Sequence, residues 1–246
     1  MATTTATFPT STTAATSSTA PGPYVPVAFD VYRDIHKGIR AELFALTGDA
    51  GRVDPADDCG VAALADQVRR VVAFLVSHAE HEDAEIQPVI EVRRPALAAT
   101  IAADHAVIEA RMGRLVELAS TVTATPASER RSPAHELYVE LAAFTGAYLL
   151  HQDLEERVVG PALEAELGVV GVLGVHQRII ASIPPQELAE SLAVMLPAMN
   201  VDDRCDMLGG IRAEAPPEAF GAIRSLARSV LAPDDFRALD VRLGLD

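Results

Sequence analysis

Histidine and glutamate recur in this sequence at the spacing that stacks two side chains on one face of a helix. A glutamate follows a histidine four positions later in four places: His78/Glu82, His81/Glu85, His105/Glu109 and His151/Glu155. The abundance of the two residue types predicts only about half of one such pair by chance. Because residues i and i+4 lie on the same side of a helix, the imidazole and carboxylate of a pair could share one cation.

Four histidines interrupt helical stripes that are otherwise apolar. Walking each predicted helix in steps of three and four residues finds apolar side chains one turn before and after each of them. The polar positions on these stripes are His36, His78, Glu82, His105, His151 and Glu155. A buried charge without a partner costs on the order of several kcal/mol, so buried ionisable groups are paired or bind a metal. The stripes therefore predict six metal ligands inside a helical bundle.

Other histidines and glutamates fit the stripes less well. His81 and Glu85 flank the stripe of their helix, and Glu109 is a possible additional ligand or a neighbour of the ligands. His135 lies off the stripe and is expected in solvent, and His176 is expected to be structural. A single histidine on an apolar face is more often a hydrogen-bonded core residue, so the metal interpretation depends on the agreement among the four histidines above.

Helical periodicity, abundant Ala and Leu and the lack of strand-like alternation predict an all-α protein. Four long helices are predicted over 26–47, 59–92, 95–120 and 134–166. Their short connections imply antiparallel neighbours and hence an up-down four-helix bundle. The first connection fits poorly, because His36 lies about 11 residues before its predicted helix end and His78 about 20 residues after the next predicted start.

The sequence suggests three regions. Residues 1–23 are rich in Thr, Ser, Ala and Pro and are expected to form a disordered tail. Residues 24–167 contain the predicted bundle. Residues 168–246 contain shorter helical pieces separated by proline pairs, which predict a small all-helical C-terminal appendage, and the Gly-rich 168–175 is expected to be a hinge or linker.

Composition limits the partners and the cellular location. The 246 residues are 49% hydrophobic and 22% charged, as in soluble globular proteins. No apolar run approaches the roughly 20 residues of a membrane span, and no secretory signal is expected. The net charge of −15 argues against nucleic acid and anionic membranes as partners. Two isolated cysteines, Cys59 and Cys205, favour a cytoplasmic location.

The ligand types restrict the metal. Imidazole and carboxylate without thiolate suit iron, manganese or zinc. A structural zinc needs only four ligands, whereas two ions bridged by carboxylates would use all six. The chain has no Glu-x-x-His and no His-Glu-x-x-His motif, so it lacks the ferritin-like di-iron pattern and the common zinc-protease pattern.

The chain resembles the hemerythrin-like, or HHE cation-binding, domains over roughly residues 27–166. The resemblance rests on DIHKGIR, HAEHEDAEIQP, DHAVIEA and HQDLEERVVGP, where a proline follows each of two His-x-x-x-Glu pairs. It implies two non-haem iron ions as cofactor. The metal ligands it implies are the same six residues: His36, His78, Glu82, His105, His151 and Glu155.

The chain departs from the oxygen-carrying hemerythrins at two positions. Those proteins have a second histidine on the third helix, where this chain has Glu109, and an aspartate on the last helix at a spacing different from that of Glu155. A carboxylate in place of an imidazole would favour ferric iron. The resemblance therefore implies a bacterial or iron-sensing HHE protein more than a reversible oxygen carrier.

Three interpretations remain open from the sequence. The first is a di-iron protein that binds or reacts with O2, peroxide or nitric oxide, in one version an oxidase or peroxidase-like enzyme. Tyr32 and Tyr148, each about one turn from a ligand histidine, could then donate a hydrogen bond to the small ligand, or could be ordinary core aromatics. The second is an iron or oxygen sensor that signals without turnover through 168–246, by dimerisation or a protein partner. The third is a metal-free bundle with internal salt bridges.

Overall fold

The computed structural model describes residues 22–245, most of which are helical and none of which forms a strand. The predicted all-α class is confirmed. The predicted disordered tail, 1–23, lies outside the described residues except for its last two positions. The helices are α1 (Arg33–Arg52), α2 (Asp58–Glu85), α3 (Gln87–Arg93), α4 (Pro95–Ala124), α5 (Arg131–Leu154), α6 (Gly160–Ser182), α7 (Pro185–Ala198), α8 (Val201–Glu214), α9 (Pro217–Val230) and α10 (Pro233–Leu243).

Four helices form the predicted up-down bundle. α1 packs against α2 and α5, and α4 packs against the same two helices, so the four close into a ring. A central apolar cluster contains a residue from each helix, for example Ile39, Leu75, Leu115 and Leu141. These residues belong to stripes that recur every three to four positions, which is why each helix turns one face to the common core.

The first helix differs from the prediction at both ends. Asp30 Oδ1 accepts hydrogen bonds of 3.0 Å from the backbone N–H groups of Tyr32 and Arg33, and α1 begins there instead of at residue 26. It continues to Arg52 instead of ending at 47, although that last stretch contains glycines. Ala50, 5% exposed, packs into the core, and such tertiary packing overrides weak helix propensity.

The longer α1 removes most of the depth mismatch noted for the first connection. His36 now lies 16 positions before the end of its helix (52 − 36), and His78 lies 20 after the start of α2 (78 − 58). The shorter connection between α1 and α2 therefore brings the two histidines to a similar depth.

The second and the fourth of the four predicted helices are each interrupted just before a proline. The predicted helix 59–92 divides at Ile86 into α2 and α3, just before Pro88. The predicted helix 134–166 widens after α5 into a π-helical turn, Glu155–Val159, just before Gly160 and Pro161. Proline has no N–H to donate to the preceding turn, so the regular hydrogen-bond ladder cannot continue through it.

Gly168 produces a sharp break within α6. Its φ of 66° and ψ of 170° belong to a region that is accessible almost only to glycine. The break lies at the position proposed as a domain boundary, and that boundary stays a prediction. The segment that follows nevertheless packs Val172 and Val175 into a second apolar cluster with Ile90 and Leu163.

Helices α7–α10 pack around an apolar cluster of their own, which includes Leu196 and Leu208. These four helices form the later part of the predicted appendage, 168–246. They contact the bundle where α7 crosses α1. A Cβ on Gly38 would lie 3.0 Å from Val194 Cγ1 and 3.3 Å from Met195 Cα, so glycine permits the close approach of the two helices.

One helical stretch among the described residues, Arg131–Ser182, is long and apolar enough to cross a membrane by length and composition. It contains the buried polar residues His151 and Glu155 and is broken at Gly168. Its most apolar window is 33% buried, and one helix of this kind is weak evidence for a membrane span.

Candidate metal centre

The six predicted ligands meet in one layer of the bundle. They come from α1 (His36), α2 (His78, Glu82), α4 (His105), α5 (His151) and the first position of the π turn (Glu155). Tyr148 belongs to the central apolar cluster and Tyr32 to the second apolar cluster, so the polar layer lies between two apolar ones. The six polar side chains on the apolar stripes therefore lie close together, as the helical periodicity predicted.

Nitrogen and oxygen atoms of these side chains form two overlapping groups, each with its atoms within 4.8 Å of one another. The groups are His36, His78, Glu82 and Glu155, and Glu82, His105, His151 and Glu155. Two histidines are particular to each group, and both glutamates are common to the two. This is the arrangement expected of two neighbouring cations that share two carboxylates.

Each glutamate turns one oxygen toward each group. Glu82 Oε1 lies 3.1 Å from His78 Nε2, and its Oε2 lies 3.7 Å from His105 Nε2. Glu155 Oε2 lies 3.4 Å from His36 Nε2, and its Oε1 lies 3.2 Å from the Nε2 atom on His151. The carboxylates therefore occupy bridging positions between the two pairs of imidazoles.

Many of these buried polar atoms have no hydrogen-bond partner. Within the described residues this holds for Nε2 of His36 and His105, both oxygens of Glu82 and Oε2 of Glu155. The 3.1 Å approach of His78 to Glu82 is an ion-pair distance without hydrogen-bond alignment. Buried polar atoms are almost always satisfied in folded proteins. Cations between these atoms would satisfy them, so the donor set fits a metal centre.

The buried side chains of the site shift one another's pKa values. Burial, and then the charge of Glu155, raises the pKa of Glu82 well above its usual value. Burial also raises the pKa of Glu155, but the neighbouring imidazoles, first His105 and His151, outweigh it and hold that pKa well below its usual value. Burial, and then the neighbouring imidazoles, lowers the pKa of His78 to about 3. His78 is therefore neutral, which is the form that binds a metal.

Two of the candidate ligand histidines contact a carboxylate at their outer nitrogen, Nδ1. His36 Nδ1 lies 3.0 Å from Glu156 Oε1, and Arg40 donates to both oxygens of Glu156 over 2.8 and 2.9 Å. His105 Nδ1 lies 2.8 Å from Asp83 Oδ1. Sequence reasoning missed Arg40, Asp83 and Glu156, because none of them lies on an apolar stripe.

The additional candidates His81, Glu85 and Glu109 lie outside the two groups. His81 Nδ1 bonds the carbonyl oxygen of Ser77 in its own helix over 2.6 Å, and Glu85 accepts from Arg178 Nε over 2.6 Å. Glu109 is exposed and belongs to neither group. The apolar stripe of α4 runs through Ile108 instead, which turns position 109 toward solvent.

The two remaining histidines are also apart from the centre. His135 is exposed near the start of α5, as expected from its position off the stripe. His176 packs edge-on against Phe29, with ring centroids 5.2 Å apart, in the segment after Gly168. This packing agrees with a structural role.

A small pocket adjoins the ligand layer, with room for about one water-sized molecule. It is lined by Tyr32, Glu82, Asp83, Ile86, Gln87, Ile101, His105 and Glu155. Gln87 Oε1 has no hydrogen-bond partner among residues 22–245. The pocket therefore provides a water-sized space beside the candidate ligands, between α2, α3 and α4.

Among the comparisons with known proteins, one family model matches the chain. The family model of the hemerythrin HHE cation-binding domain matches residues 27–163, more than half of the chain, and all six ligand positions fall in that range. No curated protein and no solved structure matches the chain well enough to count as a relative.

Proposed function

The chain belongs to the family of hemerythrin HHE cation-binding domains, and we propose that it is a non-haem di-iron protein that binds or reacts with O2, peroxide or nitric oxide. The family indicates binding of a cation such as iron, and the buried His/Glu cluster is a suitable site. In the proposal, His36 and His78 hold one ion and His105 and His151 hold the other. Glu82 and Glu155 bridge the two ions.

The observation that carries the proposal is that both glutamates belong to both ligand groups. A single four-coordinate ion would use one group and leave two buried histidines of the other without a partner. Two ions would use all six side chains and would give partners to Nε2 of His36 and His105, both oxygens of Glu82 and Oε2 of Glu155. Iron at such a site supplies a redox centre and a Lewis acid.

The protein's own residues restrict what reaches the ions. Tyr32 and Tyr148 are both 2% exposed and lie on opposite sides of the ligand layer. Burial, and then the charges of the two glutamates, raises the pKa of both tyrosines well above the usual value, so their hydroxyls stay protonated. Protonated hydroxyls could donate a hydrogen bond to a small ligand. The adjoining pocket has room for about one water-sized molecule, which favours a small ligand over an organic substrate.

Metal analysis joined to optical spectroscopy tests the proposal. Protein purified from iron-replete cells should contain two iron ions per chain and absorb in the near ultraviolet, because carboxylate-bound ferric iron absorbs there. The spectrum should change on exposure of the reduced protein to O2, peroxide or nitric oxide. One zinc ion and no iron per chain would overturn the di-iron assignment.

A second candidate function is an iron or oxygen sensor that acts without turnover. Its support is the position of the appendage, which contacts the two helices that carry His36 and His78. α7 crosses α1 at Gly38, and Glu187 of α7 pairs with Ser77, the neighbour of His78 on α2. A shift of either ligand helix on metal loading would reach α7 directly.

Turnover separates the two candidates. Steady consumption of peroxide or oxidation of a reductant favours an enzyme. A metal-dependent change in the protease sensitivity of 185–245, without turnover, favours a sensor whose output is dimerisation or a protein partner.

A cytoplasmic location is also proposed, and it is supported by Cys59 and Cys205, neither of which forms a disulfide.

A further inference from the structure

His36 differs from the other ligand histidines in how its outer nitrogen is held. Its ring is fully buried, and Nδ1 lies 3.0 Å from Glu156 Oε1. The corresponding partner of His105, Asp83, has a side chain that is 53% exposed. Nδ1 of His151 has no hydrogen-bond partner among the described residues.

The carboxylate that meets His36 is itself fixed. Arg40, one helical turn after His36, donates from both terminal nitrogens to the two oxygens of Glu156, over 2.8 and 2.9 Å. The side chains of Arg40 and Glu156 are 29% and 19% exposed, so this two-point pair is mostly shielded from water. Two-point arginine–carboxylate pairs are among the strongest and most directional hydrogen-bonded contacts in proteins.

The π turn lets two consecutive residues contact one imidazole. Glu155 faces Nε2 of His36 over 3.4 Å, and Glu156 faces its Nδ1. In a regular α-helix, successive side chains point about 100° apart, so both would not face the same ring as easily. The turn starts at Glu155, with a hydrogen bond from Gly160 N–H to the Glu155 carbonyl oxygen.

The contact of Glu156 with Arg40 determines which nitrogen of His36 donates to Glu156. Arg40 donates to both oxygens of Glu156, and a carboxyl group that accepts at both oxygens from a guanidinium is in its ionised form. An ionised carboxylate can only accept a hydrogen bond. The proton shared with Glu156 therefore belongs to Nδ1, and Nε2 faces Glu155 and the ligand layer.

We infer that Glu156, clamped by Arg40, is a positioning residue that holds His36 with its Nε2 lone pair toward the metal centre. The inference rests on the proposed di-iron function, because only a metal ligand needs this orientation. Carboxylates behind ligand histidines raise the basicity of the ligand, and their loss typically weakens metal binding 10–100-fold. The ion held by His36 and His78 is then the one that depends on Glu156.

Two variants and a matched control test this inference. Glu156→Gln keeps the shape and removes the charge, and Arg40→Gln removes the clamp. Asp153→Asn is the control, because Asp153 is also paired with an arginine, Arg157, in the same region but contacts no ligand histidine. Ferrous iron is titrated against a competing chelator. We expect the apparent Kd of one of the two ions to rise 10–100-fold in Glu156→Gln, less in Arg40→Gln, and less than about twofold in the control.

A second measurement does not depend on metal. Nitrogen NMR of the His36 ring in metal-free protein at pH 8.5 shows which nitrogen carries the proton. The expected result is a proton on Nδ1 alone in the wild type and a mixture of the two forms in Glu156→Gln.

The two measurements separate this inference from the proposed function. A proton on Nε2 of wild-type His36, alone or together with Nδ1, overturns the inference, as does an unchanged iron Kd in Glu156→Gln. Failure of the wild type to bind iron overturns the proposed function instead, and the NMR result still decides whether Glu156 orients the ring.

Discussion

Glu82 on α2 and Glu155 at the start of the π turn lie close together and take part in both groups of candidate ligands. One oxygen of each carboxylate faces the His36/His78 pair, and the other faces the His105/His151 pair. The two halves of the centre are therefore not independent. Changes at a glutamate and changes at a histidine should have different effects.

Loss of Glu82 should release both ions together. In Glu82→Ala, each group of four loses a bridging oxygen, so we expect less than one iron ion per chain after dialysis, measured by elemental analysis. Glu80→Ala is a suitable control, because Glu80 is exposed on the same helix and should keep both ions. Retention of one full equivalent of iron in Glu82→Ala would show that the carboxylate does not bridge.

His151→Ala should remove metal and lower the thermal stability of the iron-loaded protein. The substitution leaves Glu155 buried without its 3.2 Å imidazole partner and takes away binding energy that contributes to folding. Calorimetry and metal analysis of the same sample measure both effects. His135→Ala, at an exposed site on the same helix, should change neither quantity. Equal effects of the two variants would contradict the assignment of ligands by the apolar stripes.

Gly38→Leu should loosen the appendage from the bundle. The added side chain would meet Val194 and the Met195 backbone at the crossing of α1 and α7, and overpacking of this kind typically costs about 1–3 kcal/mol. Limited proteolysis should therefore cut 185–245 faster. Gly113→Leu tests the same change on a helix where nothing lies within 4 Å of the new Cβ, and its digestion pattern should match the wild type.

Gly168→Ala should destabilise the protein by about 1–3 kcal/mol, because alanine is strained at the φ of 66° and ψ of 170° found there. Urea unfolding measures the change in the free energy of unfolding. Gly113→Ala, at an exposed helical position, should instead stabilise by roughly 0.5–1 kcal/mol through helix propensity. A neutral Gly168→Ala would mean that the break in α6 can relax.

The bundle and the meeting of six polar side chains could be predicted because both depend on periodicity. A histidine such as His105, with Ile101 and Ile108 on its own face, has to point where they point. The same argument placed Glu82 and Glu155 beside the histidines four positions earlier. Whether the six residues bind iron is a separate matter, and it remains a prediction.

Features that depend on local breaks in periodicity could not be predicted. Glu156 follows Glu155 directly, and a regular helix would turn it away from His36, so only the π turn reveals the contact. Pro161 was a signal that the helix would be disturbed there, but not of how. The continuation of α1 through Gly48 and Gly51 depends on burial of Ala50, which propensity does not show. Glu109 had the spacing of a ligand but follows the exposed face of α4.

The ligands are far apart in the chain, and this has a consequence for folding. His36 and Glu155 are separated by 119 positions (155 − 36), and each contributes to the same group. A cation bound to both would act as a cross-link, closing a long loop and reducing the conformational entropy of partly unfolded chains, as a disulfide does. Iron supply would then set how long a newly made chain survives proteolysis, and iron-starved cells would contain less of the protein even at an unchanged rate of synthesis.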